Sequence, residues 1–122
     1  MAHDRVAANL YNLGKLQNIL GKHEQARITL TRGLDIYENQ ATSNQEAMSA
    51  LLAELVVSDL AQGRDDLVEE HLLLLLGVKE TALGEEHPDV AEALAQLYLF
   101  YKQVGNAEQM SAVQERLSKF KK

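Results

Sequence analysis

Apolar residues near the start of the chain recur at helical spacing, as in Val6, Leu10, Leu13 and the Ile19/Leu20 pair, with no strand-like alternation over any length. Equivalent stripes return twice, and the pattern predicts helices over about 5–20, 45–62 and 89–104, here termed A helices. A glycine ends each one, Gly21, Gly63 and Gly105, as a left-handed cap does, and the polar residues that follow open a second, B helix. Helix starts are marked as well. Ser43 and Glu46 have capping-box spacing, and Pro88, ahead of Asp89 and Val90, suits a first helical position where a missing N–H is no loss.

The three glycines open similar stretches, GKHEQA, GRDDLV and GNAEQM, spaced 42 residues apart. The same offset aligns Leu10 with Leu52 and Leu94, Leu13 with Leu55 and Leu97, and Val6 with Met48 and Val90. An ungapped coincidence over three copies indicates duplication, with repeats at about 5–40, 44–82 and 88–122 in one domain spanning 1–122. The expected fold class is all-α: six helices as three stacked antiparallel pairs.

The composition agrees. Of 122 residues, 46% are hydrophobic and 25% charged, while one proline and seven glycines leave little for a turn-rich β fold. A net charge of −6 speaks against a phosphate backbone or an anionic membrane as partner, the basic tail of Lys119, Lys121 and Lys122 reading as a solvated helix end. With no cysteine, disulfides and thiolate chemistry are out. No apolar run approaches the roughly 18 residues of a membrane span, and MAHDRVAANL lacks a signal peptide's apolar stretch, so a cytoplasmic setting is the default expectation.

Leu10, Leu13, Gly14, Gly21, Ala26, Leu30 and Gly33 of the first copy resemble the tetratricopeptide repeat. The 42-residue period and the linker ALGEEHPDVA resemble the longer variety found in kinesin light chains. HEAT-like repeats have a similar period without this turn and small-residue grammar. The resemblance implies a right-handed α-solenoid whose A helices line a concave surface. Copies two and three depart from it: Gly14 becomes Val56 and Tyr98, and Ala26 becomes Val68 and Met110, so wider splaying of those pairs is expected. Gln114 and Ser118 replace the leucines of earlier copies, and Asn9 stands where Leu51 and Ala93 do; such polar ends are expected of a small protein or of a piece of a longer one.

No catalytic constellation is visible. His23-Glu24 lacks a second zinc-ligand histidine, no phosphate loop is present, and Ser49, Ser58, Ser111 and Ser118 have no evident histidine and carboxylate partners. Glu85, Glu86, His87 and Asp89 cluster in a linker, where adjacent residues rarely converge on one ion, so neither metal nor cofactor is expected. The acidic run Asp65, Asp66, Glu69 and Glu70 suits a helix start.

The expected function is therefore a noncatalytic protein-interaction module that takes a peptide or helix. The resemblance places its groove along Tyr11, Asn12, Lys15 and Asn18, then Ala53, Glu54, Val57 and Leu60, then Glu92, Ala95, Gln96, Leu99 and Lys102. Glu92 and Gln96 stand where a carboxylate clamp needs basic groups, which argues against that chemistry. Two other readings stay open: an adaptor piece of a larger assembly, and a self-associating scaffold or homodimer.

The self-associating reading comes from HLLLLLG. A helix turns about 100° per residue, so five consecutive leucines, Leu72 to Leu76, cannot share one face. The repeat aligns Leu72, Leu75 and Leu76 with Leu30, Gly33 and Leu34, and they are expected inside. Leu73 and Leu74 align with Thr31/Glu115 and Arg32/Arg116, and Leu67 aligns with Gln25 and Gln109. Leu67, His71, Leu73 and Leu74 are thus either an outward interface or isolated surface residues.

Overall fold

The computed structural model describes residues 2–40 and 44–120, with side chains from residue 5 onward. Ser43, and Lys121 and Lys122 of the basic tail, lie outside the described residues. Six α-helices follow in order: α1 (Ala2–Ile19), α2 (His23–Glu38), α3 (Gln45–Ala61), α4 (Asp65–Leu83), α5 (Pro88–Val104) and α6 (Ala107–Ser118). Among the described residues there is no strand, and no helix is long and apolar enough to cross a membrane. The protein is an all-α helical repeat with neighbouring helices packed in pairs.

The A-to-B turns are one structure built three times. Gly21, Gly63 and Gly105 take φ of +79°, +67° and +80°, a region closed to most side-chain-bearing residues. Each glycine N–H returns to the carbonyl three residues back: Asn18 at 3.0 Å, Leu60 at 3.1 Å and Lys102 at 3.3 Å. The next N–H, on Lys22, Arg64 or Asn106, reaches the carbonyl of Gln17, Asp59 or Tyr101 at 2.8, 2.9 and 2.9 Å. These paired bonds are a Schellman motif. The carbonyls of Lys22, Arg64 and Asn106 then start the B helices by accepting from Ala26, Val68 and Met110. Every one of these positions recurs at the 42-residue offset.

The remaining starts use local caps. Asn44 is the N-cap of α3, its side chain accepting from Ala47 N–H at 3.1 Å. Pro88 opens α5 as expected, with His87 as N-cap.

Two compact units emerge, Met1–His71 and Leu72–Lys122, divided within α4. In the first, α2 packs against both α1 and α3, and α1 also meets α3. Its core holds Ala26, Leu30, Leu34 and Tyr37 of α2 with Leu51, Leu52 and Leu55 of α3, all at most 5% exposed. Glycines set the spacing: a Cβ on Gly33 would stand 3.2 Å from Leu51 and 3.5 Å from Leu10, so α2 lies close to both neighbours. In the second unit α5 packs on α6, and Val90, Leu94, Leu97, Phe100 and Tyr101 of α5 are buried with Val113 of α6. Arg116 of α6 is ion-paired with Glu80 of α4. At the positions equivalent to buried Gly14, Val56 and Tyr98 are half-exposed.

On α1 the apolar stripe is only partly covered: Val6 and Leu13, on the face where Asn9 marks an exposed end, are each 45% exposed, and Leu16, Ile19 and Leu20 range from 50% to 72%. The equivalents of Val6 and Leu13 on α3, Met48 and Leu55, are buried.

Candidate functional site

The residues expected to line a groove are largely open to solvent, with one exception. On α1, Asn12 and Lys15 are exposed and Tyr11 half-exposed, with the Lys15 ammonium 6.0 Å from the Tyr11 ring centroid. On α3, Ala53, Val57 and Leu60 are exposed, the last two at 45% and 56%, and Glu54 is half-buried. In the second unit α5 exposes Glu92, Gln96, Leu99 and Lys102, with Ala95 half-exposed. Val57 and Leu99 occupy the same repeat position.

Asn18 is the exception, and its role is internal. It is only 7% exposed although its equivalents Leu60 and Lys102 are open. Its amide Nδ2 donates to the Glu54 carbonyl and to Glu54 Oε1, both at 3.1 Å. Its Oδ1 accepts from the buried Ser58 hydroxyl at 2.9 Å and lies 2.9 Å from His23 Nδ1. One amide thus ties α1 to α3 and to the start of α2. A buried polar side chain must be bonded in this way, and four contacts at one amide make Asn18 a fastener rather than a ligand contact. The Ser58 hydroxyl donates to the Asn18 amide oxygen at 2.9 Å, with the Glu54 carbonyl as a second acceptor at 3.3 Å.

The leucine run divides as the repeat alignment sorts it. Leu72, Leu75 and Leu76 are 3%, 4% and 6% exposed, while Leu73 and Leu74 are 47% and 38%. His71, expected on the outer stripe, is instead 7% exposed, with Nδ1 2.5 Å from Oδ2 of fully buried Asp59. Leu67 is half-buried. The signal for His71 was present in the alignment: its equivalents are Thr29 and Val113, both buried. Asp59 was missed because nothing around it in the chain marks an aspartate as interior; its equivalents are half-buried Gln17 and buried Tyr101.

Surface electrostatics concentrate at Glu24. Arg27 grips it with two bonds, Nη2 to Oε2 at 2.6 Å and Nε to Oε1 at 3.1 Å, and Gln62 at the end of α3 donates to Oε1 at 2.8 Å. The Arg27 guanidinium first, and the Gln62 amide second, lower the Glu24 carboxyl from 4.5 to about 2. In the linker, His87 Nδ1 accepts from Asp89 N–H at 3.0 Å, which is the N-cap of α5. Among the described residues no three histidine, aspartate or glutamate side chains converge on a point that suits a metal ion.

No family model matches the chain, and no curated protein matches it.

Proposed function

We propose that this chain is a noncatalytic protein-interaction module of the tetratricopeptide type, taking a peptide or a helix against the exposed faces of its A helices. The observation that carries the reading is the repeated exposure of large apolar residues at one register: Val57 on α3 and Leu99 on α5, at 45% and 61%. Glu54 stands near Val57 on α3 and Gln96 and Lys102 near Leu99 on α5, a mixture of apolar and polar groups that suits recognition of an amphipathic segment. Three further features support the tetratricopeptide type: the identical turns at a 42-residue period, the close approach of α1 to α2 at Gly14, and the small Ala26 buried at the start of α2. Kinship with the kinesin light chain variety belongs to the same proposal, on period and linker alone. The test is affinity capture from a lysate with the full chain, followed by Val57→Glu and Leu99→Glu. Loss of captured partners is the expected result, and retention of all of them overturns the reading.

A second reading has its own observation. Leu73 and Leu74, adjacent and exposed on α4 where the other copies carry polar or charged residues, offer an apolar contact for self-association. Burying each contributes up to about 1.5–3 kcal/mol. Light scattering at high protein concentration decides it: Leu73→Lys with Leu74→Glu lowers the mass of a dimer, and a monomeric parent protein retires the idea.

A further inference from the structure

A hollow of about 280 Å³ opens in the first unit where α1, α2 and α3 meet. Its walls are small and aromatic: Ala8 and Tyr11 from α1, Tyr37 from α2, and Ala47 and Ala50 from α3. Asn44 and Glu46 complete it at the α3 N-terminus. The volume lies just below the roughly 300–1,000 Å³ of small-molecule sites, which suits a single long side chain. We propose that this hollow seats a lysine or arginine side chain of an extended peptide. The assignment rests on the reading that the A-helix face binds peptides, and it adds what chemistry the peptide must carry.

Charge decides between occupants. Glu46 is the one charged residue among the described lining residues, and among the described residues nothing bonds or pairs with its carboxylate. The α3 N-terminus carries about half a positive charge, but the full negative charge of Glu46 in the same turn outweighs it, so an acidic side chain meets net like charge and a purely apolar one gains nothing from Glu46. A lysine or arginine satisfies both surfaces: the methylene stem covers the alanine methyl groups, and the cationic head lies beside an aromatic ring and the carboxylate. The Lys15 ammonium already stands over the Tyr11 ring at 6.0 Å from its centroid, so a second cation in the hollow shares that ring with it. Lys15 does not line the hollow, but its charge opposes a second cation nearby, and this gives the proposal a signed prediction of its own.

The experiment titrates the ¹⁵N-labelled full chain with the N-acetyl N-methylamide derivatives of lysine, arginine, norleucine and glutamate. Saturable shifts at the amides of Ala8, Tyr11, Ala47 and Ala50 are expected, with lysine and arginine favoured over norleucine by about threefold to tenfold. Glu46→Gln removes that preference and Lys15→Met enlarges it. Ala50→Leu, checked for unchanged helicity, fills the space and abolishes binding of every derivative. Equal binding of norleucine and lysine to the parent chain, a preference that survives Glu46→Gln, or shifts located elsewhere overturns the proposal. If captured peptides depend on Val57 and Leu99 but not on a basic residue or Glu46, the hollow assignment fails alone. If the lysine derivative seats in the hollow while Val57→Glu and Leu99→Glu leave partners bound, the groove reading fails alone.

Discussion

A methyl group placed on Gly14 of α1 would stand 2.4 Å from Cγ of Leu30 on α2. Leu30 is fully buried and has no room to retreat, so the glycine sets how closely the two helices pack. Gly14→Ala gains about 0.5–1 kcal/mol from helix preference, but a 2.4 Å approach puts its overpacking in the upper range, about 2–3 kcal/mol, for a net loss of about 1–2.5 kcal/mol. Gly77 is the control: it lies within α4 and a Cβ there meets nothing within 4 Å. Gly77→Ala is expected to stabilise by about 0.5–1 kcal/mol. Urea unfolding of both variants checks the opposite signs, and a neutral Gly14→Ala would refute the close-packing argument.

Asn18 makes the strongest claim on side-chain bonding. Asn18→Ala leaves the Ser58 hydroxyl with only the Glu54 carbonyl, 3.3 Å away, as acceptor. The expected loss is about 1–2 kcal/mol, since a buried group is stripped of its better partner. Asn18→Asp should cost more, because it sets a carboxylate against Glu54 Oε1, which now accepts from the amide at 3.1 Å. If denaturant midpoints for the two variants match that of the parent chain, the amide is not the fastener its contacts indicate.

Periodicity carried the fold, and residue type misled only where tertiary partners intervene. The 42-residue offset located all three Schellman turns and divided the five leucines into buried and exposed sets, because both depend on register alone. A stripe tells which face is apolar and not whether a neighbour covers it: Val6 and Leu13 align with buried Met48 and Leu55 yet are each 45% exposed. Asn18 and Asp59 were illegible for another reason. Their burial depends on partners 36 and 12 positions away, Glu54 and His71, and no local rule joins such residues. The hollow at Tyr11 and Glu46 was likewise hidden, since three helices contribute to it.

Asp59 and His71 predict an asymmetry between single and double replacement. His71→Leu leaves Asp59 buried with Oδ2 stripped of its partner, beside an Oδ1 that already lacks one. Breaking a buried pair from one side costs about 3–5 kcal/mol, whereas replacing both partners with apolar residues of similar volume is often neutral. Asp59→Leu with His71→Leu is therefore expected to be more stable than His71→Leu alone. A double-mutant cycle by chemical denaturation measures this. Additive losses would show that the 2.5 Å contact carries no coupling.

Glu24 fixes the expected acid response of the turn between α1 and α2. Its carboxyl sits at about 2 rather than 4.5 because Arg27, and then Gln62, favour the ionised form. A depressed carboxylate stabilises the fold fully above its unfolded value, and that contribution is lost as pH falls from 4.5 through about 2. The stability difference between the parent chain and Glu24→Gln should therefore be constant above about pH 5 and shrink below it. Because the Glu24 side chain is 51% exposed, salt should weaken the effect. Carboxyl-carbon NMR of Glu24 reads the midpoint directly: it should rise toward 4.5 in Arg27→Met, and more than in Gln62→Ala, since the guanidinium is the larger cause. A parent-chain midpoint near 4.5 would show that the Arg27 grip is not held in solution.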